Sequence, residues 1–134
     1  MLKFSKDQVH DPVMKDPAKL LDDVVRHLID ELPAVVDAYP KGYFLSIVKA
    51  SIDIALRHNM DDVFTVRLFV RLRWEIAPGF YKQPKIAAVL ADTSISAQQR
   101  FEHLTTPSFD DAWEEALGYT GSSEWRGEAW GSDA

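Results

Sequence analysis

Acidic pairs and histidines are the residues of this chain whose chemistry is suited to catalysis or metal binding. The acidic pairs are Asp22-Asp23, Asp30-Glu31, Asp61-Asp62, Asp110-Asp111 and Glu114-Glu115. Neighbouring positions on a helix diverge by about 100°, so the two carboxylates of a pair do not converge on one proton or ion. The histidines lack the i, i+4 spacing of a helical metal site. The pattern therefore predicts solvated helix faces and caps.

Sequence motifs of the common enzyme classes are missing as well. The chain has no GxSxG nucleophile turn, no GxxxxGK phosphate loop, no GxGxxG and no HExxH. It also has no cysteine, which excludes a disulfide, a thiolate metal ligand and a cysteine nucleophile, and which fits a reducing compartment. We therefore predict that the protein is not an enzyme and uses no cofactor or metal.

The charge balance narrows the class of partner. Fifteen lysines and arginines stand against 21 aspartates and glutamates, for a net charge of −6. Such a chain is poorly suited to bind phosphate backbones or anionic membranes, so we expect neither nucleic acid nor membrane as a partner. No apolar run reaches signal-peptide length or the roughly 20 residues that cross a bilayer, and a cytoplasmic location is the expectation.

A local excess of positive charge interrupts this acidic background. Arg67, Arg71 and Arg73 are followed by Lys82 and Lys85. One interpretation is a solvated helix face, in which Arg71 pairs with the glutamate four residues later. The other is an anchor for an acidic partner protein, because the planar guanidinium group is favoured in interfaces. On the second interpretation, neutralising Arg67 and Arg71 together weakens partner binding without lowering the melting temperature.

Aromatic residues are the second set of candidates for partner contacts. Most are expected in the core, because aromatic rings supply much of the apolar area that a small domain buries. They are Trp74, Phe80, Tyr81, Phe101 and Trp113. Trp125 and Trp130, in a glycine- and serine-rich stretch, either dock back onto the domain or anchor a partner. The residues predicted to contact a partner protein are Arg67, Arg71, Arg73, Phe80, Tyr81 and Trp125.

Hydrophobic spacing predicts that helices position these residues. The first begins at Asp16-Pro17, a good cap followed by proline, and ends or bends at Pro33. The second runs from Tyr43 to the region of Asn59, a residue suited to a left-handed helix terminus. Residues 63–76 alternate as a strand would, but their length and the lack of a partner strand favour a helix. In that helix Arg73 falls among apolar residues, where a charge needs a partner or a contact surface.

Three shorter helices are predicted to follow, at residues 84–90, 96–104 and 108–117. Ser96 with Gln99 forms a capping box, and Ser108 with Asp111 is a looser version of it. From Gly118 onward the sequence has no periodicity. We therefore predict an all-α single domain of five or six helices over residues 1–117, with a mobile tail over residues 118–134. The first two or three helices form an antiparallel core, and the shorter ones cap it.

The segment PGFYKQP, with an apolar helix before it and IAAVLADTSISAQQRFEHL after it, resembles small helical accessory proteins of bacterial type VI secretion effector loci. Their pattern is a helix, a G-F-x-x-x-P turn, a short helix ending near an aspartate, and an arginine-containing helix. The matching residues are Gly79, Phe80, Pro84, Leu90, Asp92 and Arg100. The arginine-rich helix and the tryptophan-containing tail depart from that pattern.

The resemblance implies a non-enzymatic adaptor or co-chaperone. Such a protein helps a toxic effector, or the effector's larger chaperone, to load onto the secretion spike. The alternative is an immunity protein that occludes the active site of a toxin, with the acidic surface steering it onto a basic toxin. The oligomeric state does not follow from the sequence.

Overall fold

The structure is a computed structural model that describes residues 12–120, and this part of the chain is all-α. Its helices are α1 (Pro12–Lys15), α2 (Pro17–Glu31), α3 (Pro33–Ala38), α4 (Lys41–Arg57), α5 (Val63–Glu75), α6 (Pro84–Leu90), α7 (Ala97–Leu104) and α8 (Asp110–Ala116). Single 3-10 turns cover Phe80–Lys82 and Pro107–Phe109. The predicted all-α domain is confirmed. The short helices α1 and α3 were not predicted, and they raise the number above five or six.

Helix α2 shows how local sequence sets an element. The Asp16 carboxylate accepts hydrogen bonds from the amides of Ala18 and Lys19, at 3.0 and 3.3 Å, and Pro17 is the first helical residue. A side chain at this position satisfies amides that have no partner within the helix. The helix ends before Pro33, which has no amide hydrogen to continue it. Both predicted ends are confirmed.

Helix α5 settles the choice between strand and helix over residues 63–76. Asp62 caps it, because its Oδ1 accepts from the amide of Thr65 at 2.8 Å. Val66, Phe69, Val70 and Arg73 are spaced as one helical face, and all four are buried. The helix prediction is confirmed, and no strand occurs between residues 12 and 120.

The three longest helices build the core. Helices α2, α4 and α5 each contact the other two. Helices α6 and α8 contact the 3-10 turn after α5, and α7 contacts α6 and α5. Their shared core contains one continuous set of buried apolar side chains, which includes Leu28, Val48, Phe69, Phe80, Ile86 and Leu104. The short helices therefore cap a three-helix core, as predicted.

Helix α8 begins differently from the prediction. Helix α8 begins at Asp110 after a 3-10 turn and has no side-chain cap, while the Ser108 hydroxyl lies 3.1 Å from that of Thr106. The capping role predicted for Ser108 is therefore wrong. Of the predicted tail, the structure describes residues 118–120, and the carbonyl of Tyr119 accepts a hydrogen bond from the amide of Gly79 at 3.1 Å. The other tail residues lie outside the described range.

Candidate partner-binding site

The acidic residues and histidines of the described range serve in helix caps and ion pairs or lie apart from one another. Between residues 12 and 120, no group of three or more His, Asp or Glu side chains is placed to hold a metal ion. Asp62 caps α5, and Asp22 pairs with Arg26 on the exposed face of α2 at 3.1 Å. The same range contains no helix with the length and apolarity needed to cross a membrane.

Arg67 is the first of the predicted partner-binding arginines, and it contacts α2. Its Nε lies 2.6 Å from Oδ1 of Asp23, and its Nη2 lies 2.8 Å from Oδ2. This bidentate geometry gives a stronger contact between a carboxylate and a guanidinium group than a single hydrogen bond does. Both side chains are half-buried, with 33% and 23% of their area exposed. Arg67 therefore ties α5 to α2.

Breaking the contact between Arg67 and Asp23 is expected to lower stability. Arg67→Met and Asp23→Asn should each reduce the free energy of unfolding by about 1 kcal/mol, because half-buried paired charges are only partly screened by water. Urea denaturation of both single variants and the double variant measures the coupling, and we expect about 1 kcal/mol. Strictly additive effects would contradict the contact. This replaces the expectation that neutralising Arg67 and Arg71 leaves the melting temperature unchanged.

Arg71 also contacts acidic residues of its own chain. Its Nε lies 3.0 Å from Glu75 and its Nη1 lies 3.5 Å from Glu31. The same Nη1 lies 3.4 Å from Nε2 of His27. Because a guanidinium group only donates, this contact favours the neutral form of His27, in which Nε2 can accept. Burial lowers the pKa of His27, the charges of Arg71 and Arg67 lower it further, and Glu31 and Asp23 act in the opposite direction.

The lowered pKa of His27 predicts a pH-dependent stability. Near pH 6 the unfolded chain binds a proton at this site more readily than the folded chain does, so acidification favours unfolding. Stability should fall as the pH decreases from 7 through about 6.5, the ordinary pKa of histidine, and toward the lower folded value. His27→Gln should flatten this part of the curve in thermal melts between pH 7 and pH 5.5. An unchanged slope would show that His27 does not contribute.

Arg73 is placed differently from its two neighbours. It has no solvent exposure, and its Nε donates to the carbonyl of Pro78 at 2.8 Å while its Nη1 donates to the hydroxyl of Ser51 at 2.7 Å. Its guanidinium carbon lies 5.9 Å from the centre of the Tyr81 ring. Arg73 therefore joins α4, α5 and the segment after α5, and burial keeps it from a partner's surface. The predicted surface role is corrected to a core role.

Phe80 and Tyr81 are buried too, with 0% and 4% of their area exposed. Their rings pack on Phe69 at centroid distances of 5.2 and 5.3 Å, and Phe80 stacks on Trp113 at 5.8 Å. The expectation that they are core residues is met, while direct contact with a partner is not available to them. The remaining candidate, Trp125, lies outside the described residues.

Arg100, one of the residues that carry the resemblance, is a second buried arginine. It is 2% exposed. Its Nη1 donates to the carbonyls of His58 and Leu90 at 2.7 and 2.8 Å, and its Nη2 donates to that of Asn59 at 3.2 Å. These carbonyls lie where α4 and α6 end and have no partner within their helices. Asn59 has the left-handed backbone that the sequence suggested, with φ of 60°. Arg100 therefore holds the ends of two helices against α7.

An apolar groove between α5 and α7 is the candidate site that sequence analysis missed. Its volume is about 420 Å³. It is lined by Phe64, Thr65, Leu68 and Leu72 of α5, by Gln98, Phe101, Glu102 and Thr105 at α7, and by Trp113 of α8. Phe64 stands at its edge with 60% of its area exposed, the largest exposed fraction among the big apolar side chains of residues 13–120. Exposed aromatic surface that is continuous with an apolar groove indicates a contact surface.

The groove is built on rigid support. Trp113 stacks on the buried ring of Phe80, and its indole nitrogen donates to the carbonyl of Leu104 at 2.8 Å. Phe101 is 6% exposed. Among the groove-lining residues Glu102 alone carries a charge. The predicted residue Phe80 thus supports the groove from below, one layer away from the surface.

The sequence contains a signal for this groove. Helix α5 carries two apolar stripes, because Phe64, Leu68 and Leu72 recur every four residues beside the buried stripe of Val66, Phe69 and Val70. One face suffices for a helix that packs on one side of a core. A second stripe therefore indicates a second contact, here only partly covered by α7 and α8.

Comparison with known proteins does not assign this chain to a family. No protein-family model, no curated protein and no solved structure matches the chain.

Proposed function

We propose that this protein is a non-enzymatic adaptor that binds another protein through the groove between α5 and α7. The observation that carries the proposal is the exposure of Phe64 at the edge of an apolar groove with a buried floor. Aromatic side chains in such positions supply much of the binding energy of protein interfaces, because a partner removes their apolar area from water. The floor is already packed, so little conformational freedom is lost on binding.

The resemblance to accessory proteins of type VI secretion effector loci suggests the kind of partner. On that basis the partner is a toxic effector or its larger chaperone, and the adaptor helps it to load onto the secretion spike. The residues that carry the resemblance have compatible structural roles. Phe80 supports Trp113 at the groove, and Arg100 fixes α7, which forms the opposite wall. A shared pattern at these positions would preserve the groove.

The second candidate function is that of an immunity protein. The observation that favours it is the net charge of −6, which would speed association with a basic toxin. Expression of the toxin alone separates the two functions. An immunity protein rescues the cells, whereas an adaptor raises the stability or secretion of the effector and leaves its toxicity intact.

Phe64→Ala is the variant that tests the groove. We expect it to weaken partner binding by about 2 kcal/mol, the loss typical when an important aromatic contact of an interface is truncated. The free energy of unfolding should change by less than about 0.5 kcal/mol, since Phe64 is mostly exposed and alanine favours helix. The measurement is recovery of copurified partner from the native host, followed by titration of the purified pair.

Ile29→Ala is the matched control for this experiment. Ile29 is 48% exposed on α2 and does not line the groove. The Ile29→Ala variant should bind the partner with the same affinity as the unsubstituted chain. Equal loss of binding in both variants, or no loss in Phe64→Ala, would contradict the proposed site.

A further inference from the structure

We propose that the groove receives an amphipathic α-helix of the partner, with an aliphatic face toward Phe64 and a basic residue toward Glu102. This inference rests on the proposed function and specifies the partner segment that occupies the same site.

The shape of the groove favours a helix. One wall is the row of Phe64, Leu68 and Leu72, which extends over two turns of α5, or about 12 Å. The other wall is a matching row on and after α7, at positions 98, 101, 102 and 105. Two such rows leave a trough into which the side-chain ridge of a third helix fits. Apolar side chains at i, i+3, i+4 and i+7 are the usual anchors for this mode of recognition.

The walls also disfavour an extended partner strand. Pairing with a strand needs a row of free backbone amides and carbonyls at a sheet edge. Both walls are helices whose backbone groups bond within the helix, and no strand occurs in residues 12–120. Affinity must therefore come from side chains that enter the groove.

The negative charge of the groove favours basic residues beside the apolar face of the partner helix. Glu102 is exposed, and the other residues that line the groove are apolar or neutral. A lysine or arginine beside the apolar face of the partner would face this carboxylate, while an acidic residue would meet a like charge. The net charge of −6 adds a longer-range preference of the same sign, which salt weakens.

The test uses helix-constrained model peptides of about 16 residues, long enough to present one complete apolar face. The first has leucines at i, i+3, i+4 and i+7 with lysines on the flanks. The second has glutamates in place of the lysines, and the third has the first peptide's composition in scrambled order. A proline-rich peptide is the fourth. Binding to the full chain is followed by NMR through the amides of Leu68, Gln98 and Glu102 and the indole of Trp113.

We expect the lysine-flanked peptide to bind about tenfold more tightly than the glutamate-flanked one at low salt. Glu102→Gln should reduce this preference to about threefold, and Phe64→Ala should weaken binding of the lysine-flanked peptide by about tenfold. Ile29→Ala should have no effect on either. The changes in NMR chemical shift on addition of the lysine-flanked peptide should be confined to residues of the groove.

Four outcomes would overturn the proposal. The first is equal affinity for the lysine-flanked and glutamate-flanked peptides, and the second is an affinity for the scrambled or proline-rich peptide equal to that for the lysine-flanked one. The third is that no peptide binds. The fourth is that the same NMR signals shift with protein concentration in the absence of peptide, which would assign the groove to a second copy of the chain. If the peptides fail while Phe64→Ala still loses the natural partner, the occupant is wrong and the proposed function stands. If Phe64→Ala keeps the natural partner, the proposed function fails.

Discussion

Arg73→Met is expected to lower the free energy of unfolding by about 3 kcal/mol, the largest effect among the variants considered for this protein. The buried guanidinium group donates to the hydroxyl of Ser51 and the carbonyl of Pro78. Methionine fills much of the same volume but leaves that buried carbonyl without this donor. The Ser51 hydroxyl loses the hydrogen bond that it accepts from Arg73 but keeps the one that it donates to the carbonyl of Ile47 at 2.7 Å. Urea denaturation followed by circular dichroism measures the change.

Arg71→Met is the control for this substitution. Arg71 lies two residues earlier on the same helix, is 27% exposed and pairs with the more exposed residues Glu75 and Glu31. Its replacement should cost less than about 1 kcal/mol, because water screens exposed ion pairs. Equal losses for the two variants would contradict the core role of Arg73. A small loss for Arg73→Met would likewise contradict the expected stabilisation, because its hydrogen bonds would then only balance the cost of burying its charge.

Arg100→Met should destabilise the fold by about 2–3 kcal/mol, since it removes three donated hydrogen bonds from buried or half-buried carbonyls. Burial lowers the pKa of this guanidinium while Asp61 and Asp92 act in the opposite direction, and arginine remains charged at neutral pH. Arg100→Lys should recover little of the loss, because one ammonium group cannot reproduce the planar fork that reaches three carbonyls. Thermal and urea unfolding of both variants measure this.

Arg57→Met provides the comparison, because Arg57 is an exposed arginine in the last turn of α4. Its replacement should change stability by less than about 0.5 kcal/mol. Hydrogen exchange locates the effect of Arg100→Met, and we expect faster exchange at the ends of α4 and α6. Uniformly faster exchange across all helices, with no local excess, would contradict the role assigned to Arg100.

The helices were largely predictable because their signals are local. Asp16 with Pro17, Ser96 with Gln99, and the left-handed Asn59 act within a few residues, and the structure shows each of them in its predicted role. Helix α3 does not follow from the sequence in the same way, because Pro33 both ends α2 and is a favourable first residue of the next helix.

The partners of the arginines were not predictable, because they depend on contacts between distant parts of the chain. Arg67 meets Asp23 across 44 residues of sequence, and Arg73 meets Ser51 across 22. From sequence alone, the three arginines of α5 form one cluster. The structure separates them into two half-buried arginines that pair with acidic side chains and one fully buried arginine.

The groove was hidden for the same reason. Phe64, Leu68 and Leu72 are visible in sequence as a second apolar stripe on α5, but the wall opposite them comes from α7 and Trp113. Only the packing of the short C-terminal helices decides how much of that stripe is covered. Phe64 is left open, and this residue carries the functional proposal.

The most direct test of partner binding at the groove is site-specific photo-crosslinking in the native host. A photoreactive residue replaces Gln98, an exposed residue that lines the groove, or Asp53, an exposed residue of α4 that does not. We predict a crosslink to a single partner protein from position 98 that Phe64→Ala abolishes, and no crosslink to that protein from position 53. Equal crosslinking from both positions, or a position-98 crosslink that persists in Phe64→Ala, would contradict binding at the groove.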